Sequence, residues 1–261
     1  MENHLAFSNL DKAKVLAKFD EALSRGLCMG MGTRDGQMCI EAAICYALDL
    51  PHGDRPVCVS PAVCNYKVAL NDCNQWISPK SRAKYLRELG IAQIGSAGIV
   101  SPKEFSGRLA KKTIQKLIPK LFRELYPSQS IELVHACELE GTEIAAHNLA
   151  NAAYAASHAA DAAYAADAAY AANAAYAAAN AAANAASHAY AAANAASHAA
   201  DAADAADAAD AAADAAYAAS HAARAATYAT NATYAEGYLI LSASLAIETL
   251  QELNSPGCTW L

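Results

Sequence analysis

The sequence predicts an all-α protein: a helical N-terminal domain, an Ala-Ala-X repeat module and a closing helix. Three observations carry this. From Asn151 to Tyr234 the chain reads Ala-Ala-X almost without interruption and holds neither Gly nor Pro. Three Ser-Pro pairs, at Ser60-Pro61, Ser78-Pro79 and Ser101-Pro102, each open a helix-like stretch. The remaining apolar residues recur at helical spacing.

The first helix is predicted over Asp11 to Arg25, where Val15, Leu16, Phe19 and Leu23 form one apolar face. Gly26 suits a left-handed cap at its end. The Gly-rich stretch CMGMGTRDG, 28–36, lacks the spacing of a phosphate loop and is read as a turn. Gln37 to Leu50 is apolar nearly all round and is predicted to be the central helix, with Ile40, Ala43, Ile44 and Ala47 in the core. At each Ser-Pro pair the Ser caps free N–H groups, and the Pro takes the first helical position, where its missing N–H costs nothing. This places helices over 61–71, 79–89 and 102–125, with Gly90 as a cap and Pro119 as a kink. A helix over Ser130 to Glu140 should stop at Gly141. The apolar stretch Tyr238 to Leu253 should form a helix that docks on the front domain through Leu239, Leu241, Leu245 and Ile247, so that the repeat is tethered at both ends. The resulting division is 1–141, 142–236 and 237–261.

The repeat itself has a period between two helices. From His158 through Asp161, Tyr164, Asp167, Tyr170 and Asn173 to Tyr176 every step is three residues, as it is from His198 through Asp201, Asp204 and Asp207 to Asp210. Over the whole stretch the mean step is about 3.3, between 3.0 for a 3₁₀-helix and 3.6 for an α-helix. In an α-helix each step of three falls about 60° short of a full turn, so the X residues spiral round the axis. In a 3₁₀-helix they eclipse into one polar and Tyr-bearing ridge beside two smooth Ala ridges. The expectation is packed 3₁₀ segments. The alternative is long α-helices, favoured by the high α-propensity of Ala.

Composition narrows the function classes. The net charge is -7, and the repeat holds seven Asp against Arg224 alone, a surface that repels phosphate. The basic run Arg108, Lys111, Lys112, Lys116, Lys120 and Arg123 reads as a solvated helix face. Nucleic-acid and membrane partners are therefore not expected. The N-terminus has no apolar leader, and no segment is apolar enough to span a bilayer. The eight Cys residues show no C-x-x-C spacing and are expected to be reduced, mostly core, thiols of a cytoplasmic protein. No cofactor is expected. His158, His188, His198 and His221 each follow a Ser, but they are too dispersed to form a metal site.

One constellation has catalytic residue types. Cys39 at a helix start, where the helix dipole lowers a thiol pKa, could act with His52 as base, Asp54 as orienting group and Gln37 as oxyanion donor. Against it stands the reading of Cys39 as a core residue. The stretches GTRDGQMCIEAAICYAL, LPHGDRPVCVSPAV, RELGIAQIGSAG and CELEGTEIAA, followed by Ala-Ala-X triplets, resemble a family of uncharacterised bacterial proteins with no known activity. The resemblance implies a shared fold and no function. The expected role is a non-enzymatic structural or interaction protein that presents the ridge to a protein partner or to itself. A Cys39-centred hydrolase and an ice-binding protein are the alternatives. Bulky Tyr and scarce Thr on the ridge count against ice binding.

Overall fold

The computed structural model describes residues 7–125, 131–159 and 232–261, and these are helical with no strand among them. The helices are α1 (Lys12–Ser24), α2 (Ile40–Ala47), α3 (Pro61–Asn71), α4 (Pro79–Ala92), α5 (Pro102–Lys112), α6 (Ile118–Leu125), α7 (Ile131–Glu140), α8 (Glu143–Ala159) and α9 (Ala232–Glu252). Local chemistry sets most boundaries. Asp11 accepts from Lys14 N to cap α1. Gly26 follows that helix at φ +83°, a conformation a side chain would strain. Ser78 and Ser101 cap α4 and α5 through their hydroxyls. Ser60 makes no such bond, but Pro61 still opens α3.

Three boundaries differ from expectation. The central helix is shorter than 37–50, because Gln37 and Met38 pair with the Gly-rich loop instead. Gly90 does not cap α4. The helix runs on to Ala92, and Gly90 is the point where α4 presses on the core: a Cβ there would lie 2.5 Å from Phe19 Cζ and 3.0 Å from Ile40 Cδ1. The break expected at Pro119 takes the form of a π-turn just ahead of it. It spans Thr113–Leu117, with Ile118 N donating to Thr113 O, and separates α5 from α6.

The core lies where α2 meets α1, α3 and α4. Ile40, Ala43 and Ile44 are fully buried and Ala47 nearly so, as the sequence predicts. Around this centre α5 lies on α3, α6 on α7, and α7 on α8. Of the eight thiols, six are buried and two partly so, and none is in a disulfide.

Helix α9 is the tether. It begins at Ala232, ahead of the expected Tyr238, runs through Gly237, and packs on α4, α5 and the π-turn. Leu239 and Leu245 are buried, and Leu241 and Ile247 are half-buried against the core. Polar contacts seat it along its length. Glu236, almost fully buried, accepts from Ile77 N and Ser81 Oγ at the N-terminal end of α4. Tyr238 donates to Glu124, and Ser242 Oγ lies 2.7 Å from Tyr66 Oη. Beyond α9, Ser255 Oγ donates to Ala92 O and Gly257 N to Ile94 O, pinning the last turn to the end of α4.

At its two ends the Ala-Ala-X stretch is α-helical, over 151–159 within α8 and 232–234 within α9. His158 closes α8. The other predicted ridge residues, Asp161, Tyr164, Asp167, Tyr170, Asn173 and Tyr176, and His198, Asp201, Asp204, Asp207 and Asp210, lie outside the described residues, as do His188 and His221.

Candidate functional site

The loop 28–36 turns through Gly30 and Gly32, both at positive φ. A Cβ on Gly32 would lie 2.7 Å from Met38 Cα and 2.6 Å from Cys28 Sγ, so the loop closes on its own returning segment only because that residue is Gly. Thr33 N donates to Gln37 O, and Cys39 N to Met31 O. The end of α3 holds the loop from the other side: Gly30 N donates to Asp72 Oδ1, and Asn71 Nδ2 donates both to Cys28 O and to Asp72 Oδ1. Between loop, α2 and α3 lies a cavity of about 20 Å³, lined among others by Met31, Cys39, Glu41, Asp54, Asn71 and Asp72. That is room for about one water-sized group.

The four catalytic candidates divide. Cys39 and Asp54 line this cavity. Gln37 turns away and donates to Arg25 O at 3.0 Å. His52 places Nε2 3.3 Å from Gly32 O, and its Nδ1 is buried without a hydrogen-bond partner. Neither is hydrogen-bonded to Cys39. The thiol is the N-cap of α2, where its sulfur accepts from Ala42 N at 3.4 Å. Its pKa moves opposite to the expected direction. Burial pushes it up to about 11, outweighing the favourable Ala42 amide, while Glu41 nearby adds repulsion. At neutral pH Cys39 is a protonated thiol, and the thiolate is the nucleophile.

The residue the sequence reading passed over is Glu41. Its side chain and that of Lys67 on α3 are both fully buried, with Glu41 Oε1 2.8 Å from Lys67 Nζ. Gln93, at the end of α4, donates to Glu41 Oε2 at 2.9 Å. Three elements thus converge on one carboxylate. Burial drives the Glu41 pKa up, Lys67 and Gln93 oppose that, and Asp54 adds to it. The signal was visible: Glu41 is the only charged residue within QMCIEAAICYAL, and a helix apolar all round leaves a carboxylate no solvent face.

The basic run is the solvated face expected of it, with Lys112 alone half-buried, and most of it is also paired with acidic side chains. Lys116 Nζ lies 2.6 Å from Glu248 Oε2. Lys112 reaches Glu252 Oε1 at 2.6 Å and Glu248 Oε2 at 3.3 Å, and Arg108 lies 3.5 Å from Glu252. Lys120 pairs with Glu124, and Arg123 with Glu138. Most of the run therefore clasps α9 or its own neighbours.

Among the described residues, no group of three His, Cys, Asp or Glu side chains stands close enough to hold a metal ion, and no helix is long and apolar enough to cross a membrane. Comparison with known protein families, curated proteins and solved structures gives no match.

Proposed function

We propose that this is a non-enzymatic structural or interaction protein, a helical body that holds both ends of the Ala-Ala-X segment and leaves its polar and Tyr ridge to meet a protein partner or another copy of the chain. The observation that carries this reading is the seating of the two flanking helices. Helix α8 packs on α7, and α9 is fixed by buried Leu239 and Leu245, by Glu236 and by the Lys112–Lys116 clasp. A chain clamped at both ends is a bracket rather than a linker. Within this reading the strict triplets wind as 3₁₀ segments packed side by side through their Ala ridges, because Ala buries too little area for one such helix to hold its shape alone. Long α-helices are the competing form. The protein then works with reduced thiols in the cytoplasm, without cofactor, membrane or nucleic acid, beside the bacterial Ala-Ala-X proteins it resembles.

The competing class is a Cys39 hydrolase, and iodoacetamide at pH 7 separates the two. The reading predicts that Cys39 stays unmodified in the folded protein and reacts no faster than the other thiols. Selective, rapid alkylation of Cys39 would replace it with the hydrolase.

A further inference from the structure

The cavity between loop 28–36, α2 and α3 has more hydrogen-bond acceptors on its wall than the surrounding donors satisfy. Asn71, at the end of α3, is fully buried. Its Nδ2 is spent on Cys28 O and Asp72 Oδ1, and its Oδ1 has no hydrogen-bond partner. Glu41, also fully buried, lines the same cavity. A carboxylate offers about four lone-pair sites, and Lys67 and Gln93 each meet one oxygen of this one. Asp54 brings a second carboxylate to the wall, from the segment between α2 and α3, and Asp72 brings a third. Of the lining side chains, only the Cys39 thiol has a donor to spare. Its sulfur accepts from Ala42 N, and burial keeps it protonated at neutral pH. Buried polar atoms in folded proteins are paired with protein or with ordered water.

We propose that this cavity is a binding site for one water molecule, which donates to Asn71 Oδ1 and to a lining carboxylate and accepts from the Cys39 thiol. Size allows it. The cavity measures about 20 Å³, and one water needs about 10–15 Å³. Three hydrogen bonds are usual for an internal water. Other occupants of that size fit less well. Among the described residues no three His, Cys, Asp or Glu side chains stand close enough to hold a metal ion. An ammonium ion would bring positive charge to a place where Lys67 already pairs with Glu41 and Arg82 lies within electrostatic reach of Asp72. An apolar group would leave Asn71 Oδ1 buried and unpaired. The bound water joins four segments at one point: α2 through Cys39, α3 through Asn71, the α2–α3 connection through Asp54, and the Gly-rich loop, which Asn71 holds at Cys28 O. It also supplies a donor where Glu41 and Asp54, two like charges, share one wall.

The test is water-to-methyl cross-relaxation by NMR on the full chain with labelled Ile methyl groups. Ile40 lines the cavity and is completely buried, so bulk solvent does not reach it. The expected result is a cross-peak from water to the Ile40 methyls with the sign of a water that tumbles with the protein. Cys39→Ala should keep it, because Asn71 Oδ1 and the carboxylates still accept. Val68→Met, which places a longer side chain at the cavity wall, should abolish it. No cross-peak in the wild-type chain would overturn the proposal. Its loss in folded Cys39→Ala would do the same, since the signal would then come from the exchanging thiol proton. A cross-peak unchanged in folded Val68→Met would place the water elsewhere. Ile40 methyl shifts on replacing sodium chloride by ammonium chloride at equal ionic strength would overturn it in favour of the cation.

Discussion

The Glu41–Lys67 pair and the Lys116–Glu248 pair share the same chemistry and nearly the same separation, 2.8 and 2.6 Å, in opposite surroundings. The first is completely buried between α2 and α3. The second lies on the surface, with side chains 50% and 43% exposed. Desolvation separates them. In the core, losing water raises the carboxylate pKa even with an ammonium beside it. At the surface, hydrogen bonds from Lys116 and then Lys112 hold the Glu248 carboxyl below its usual range, and Lys112 does the same for Glu252. The buried pair joins α2 to α3, and Gln93 brings the end of α4 to the same carboxylate. The surface clasp adds to an interface that Leu239, Leu245 and Leu250 already secure.

The largest expected effect follows from leaving one buried charge alone. Glu41→Gln should destabilise the protein by about 3–5 kcal/mol, because Lys67 stays buried without its counter-charge. Adding Lys67→Met to Glu41→Leu should recover most of that loss, since a well-packed apolar pair replaces a buried ion pair at little cost. Urea unfolding midpoints check both. Equal losses in the single and double variants would mean that the pair does not act as a unit.

Gly90→Ala comes next. Helix propensity favours Ala by about 1 kcal/mol at an exposed site. Here the new methyl meets the ring of fully buried Phe19, which has no room to retreat. Overpacking should win, with a net loss of about 1–2 kcal/mol by thermal unfolding. A stabilised variant would show that α4 can shift away from α1.

Lys116→Ala should have the smallest effect, about 0.2–1 kcal/mol, shrinking toward zero in 1 M salt, where screening acts within about 3 Å. Acid should also separate the two regions. The depressed pKa of Glu248 and Glu252 gives stability that is present above the ordinary carboxylate value of 4.5 and lost as pH falls through their folded values. The raised pKa of Glu41 has the opposite sign: its contribution is present at low pH and lost as pH rises through its folded value. The gap between wild type and Lys116→Ala should therefore close as pH falls below 4.5 and through the lowered folded values of these carboxyls. A gap independent of both salt and pH would mean that Lys116 acts through its packed stem rather than its charge.

How far the sequence could be read depends on how local the determining physics was. Helix starts at Pro61, Pro79 and Pro102 were legible because capping and the Pro ring act within one turn. Burial of Ile40 to Ala47 was legible from an apolar helix. Gly90 was misread as a cap because its reason for being Gly is the ring of Phe19, 71 residues earlier in the chain. Gln37 and His52 looked like partners of Cys39 by sequence proximity, yet Gln37 turns to Arg25 O at the end of α1 and His52 to Gly32 O in the Gly-rich loop. The Cys39 thiol was expected to be acidified by the helix start. Its burial, which sequence spacing does not reveal, reverses the sign. The basic run gave no hint that Glu248 and Glu252, more than 130 residues on, would meet it.

The central claim is that α9 belongs to the body and so clamps the return end of the Ala-Ala-X segment. Native-state hydrogen exchange on the full chain tests it directly. The account predicts that amides of 239–250 exchange with the same free energy as those of 40–47, both at the value for global unfolding, since buried side chains from both helices share one core. Exchange of 239–250 at a free energy several kcal/mol lower, with 40–47 still fully protected, would show that α9 detaches on its own and that the segment has no fixed return end.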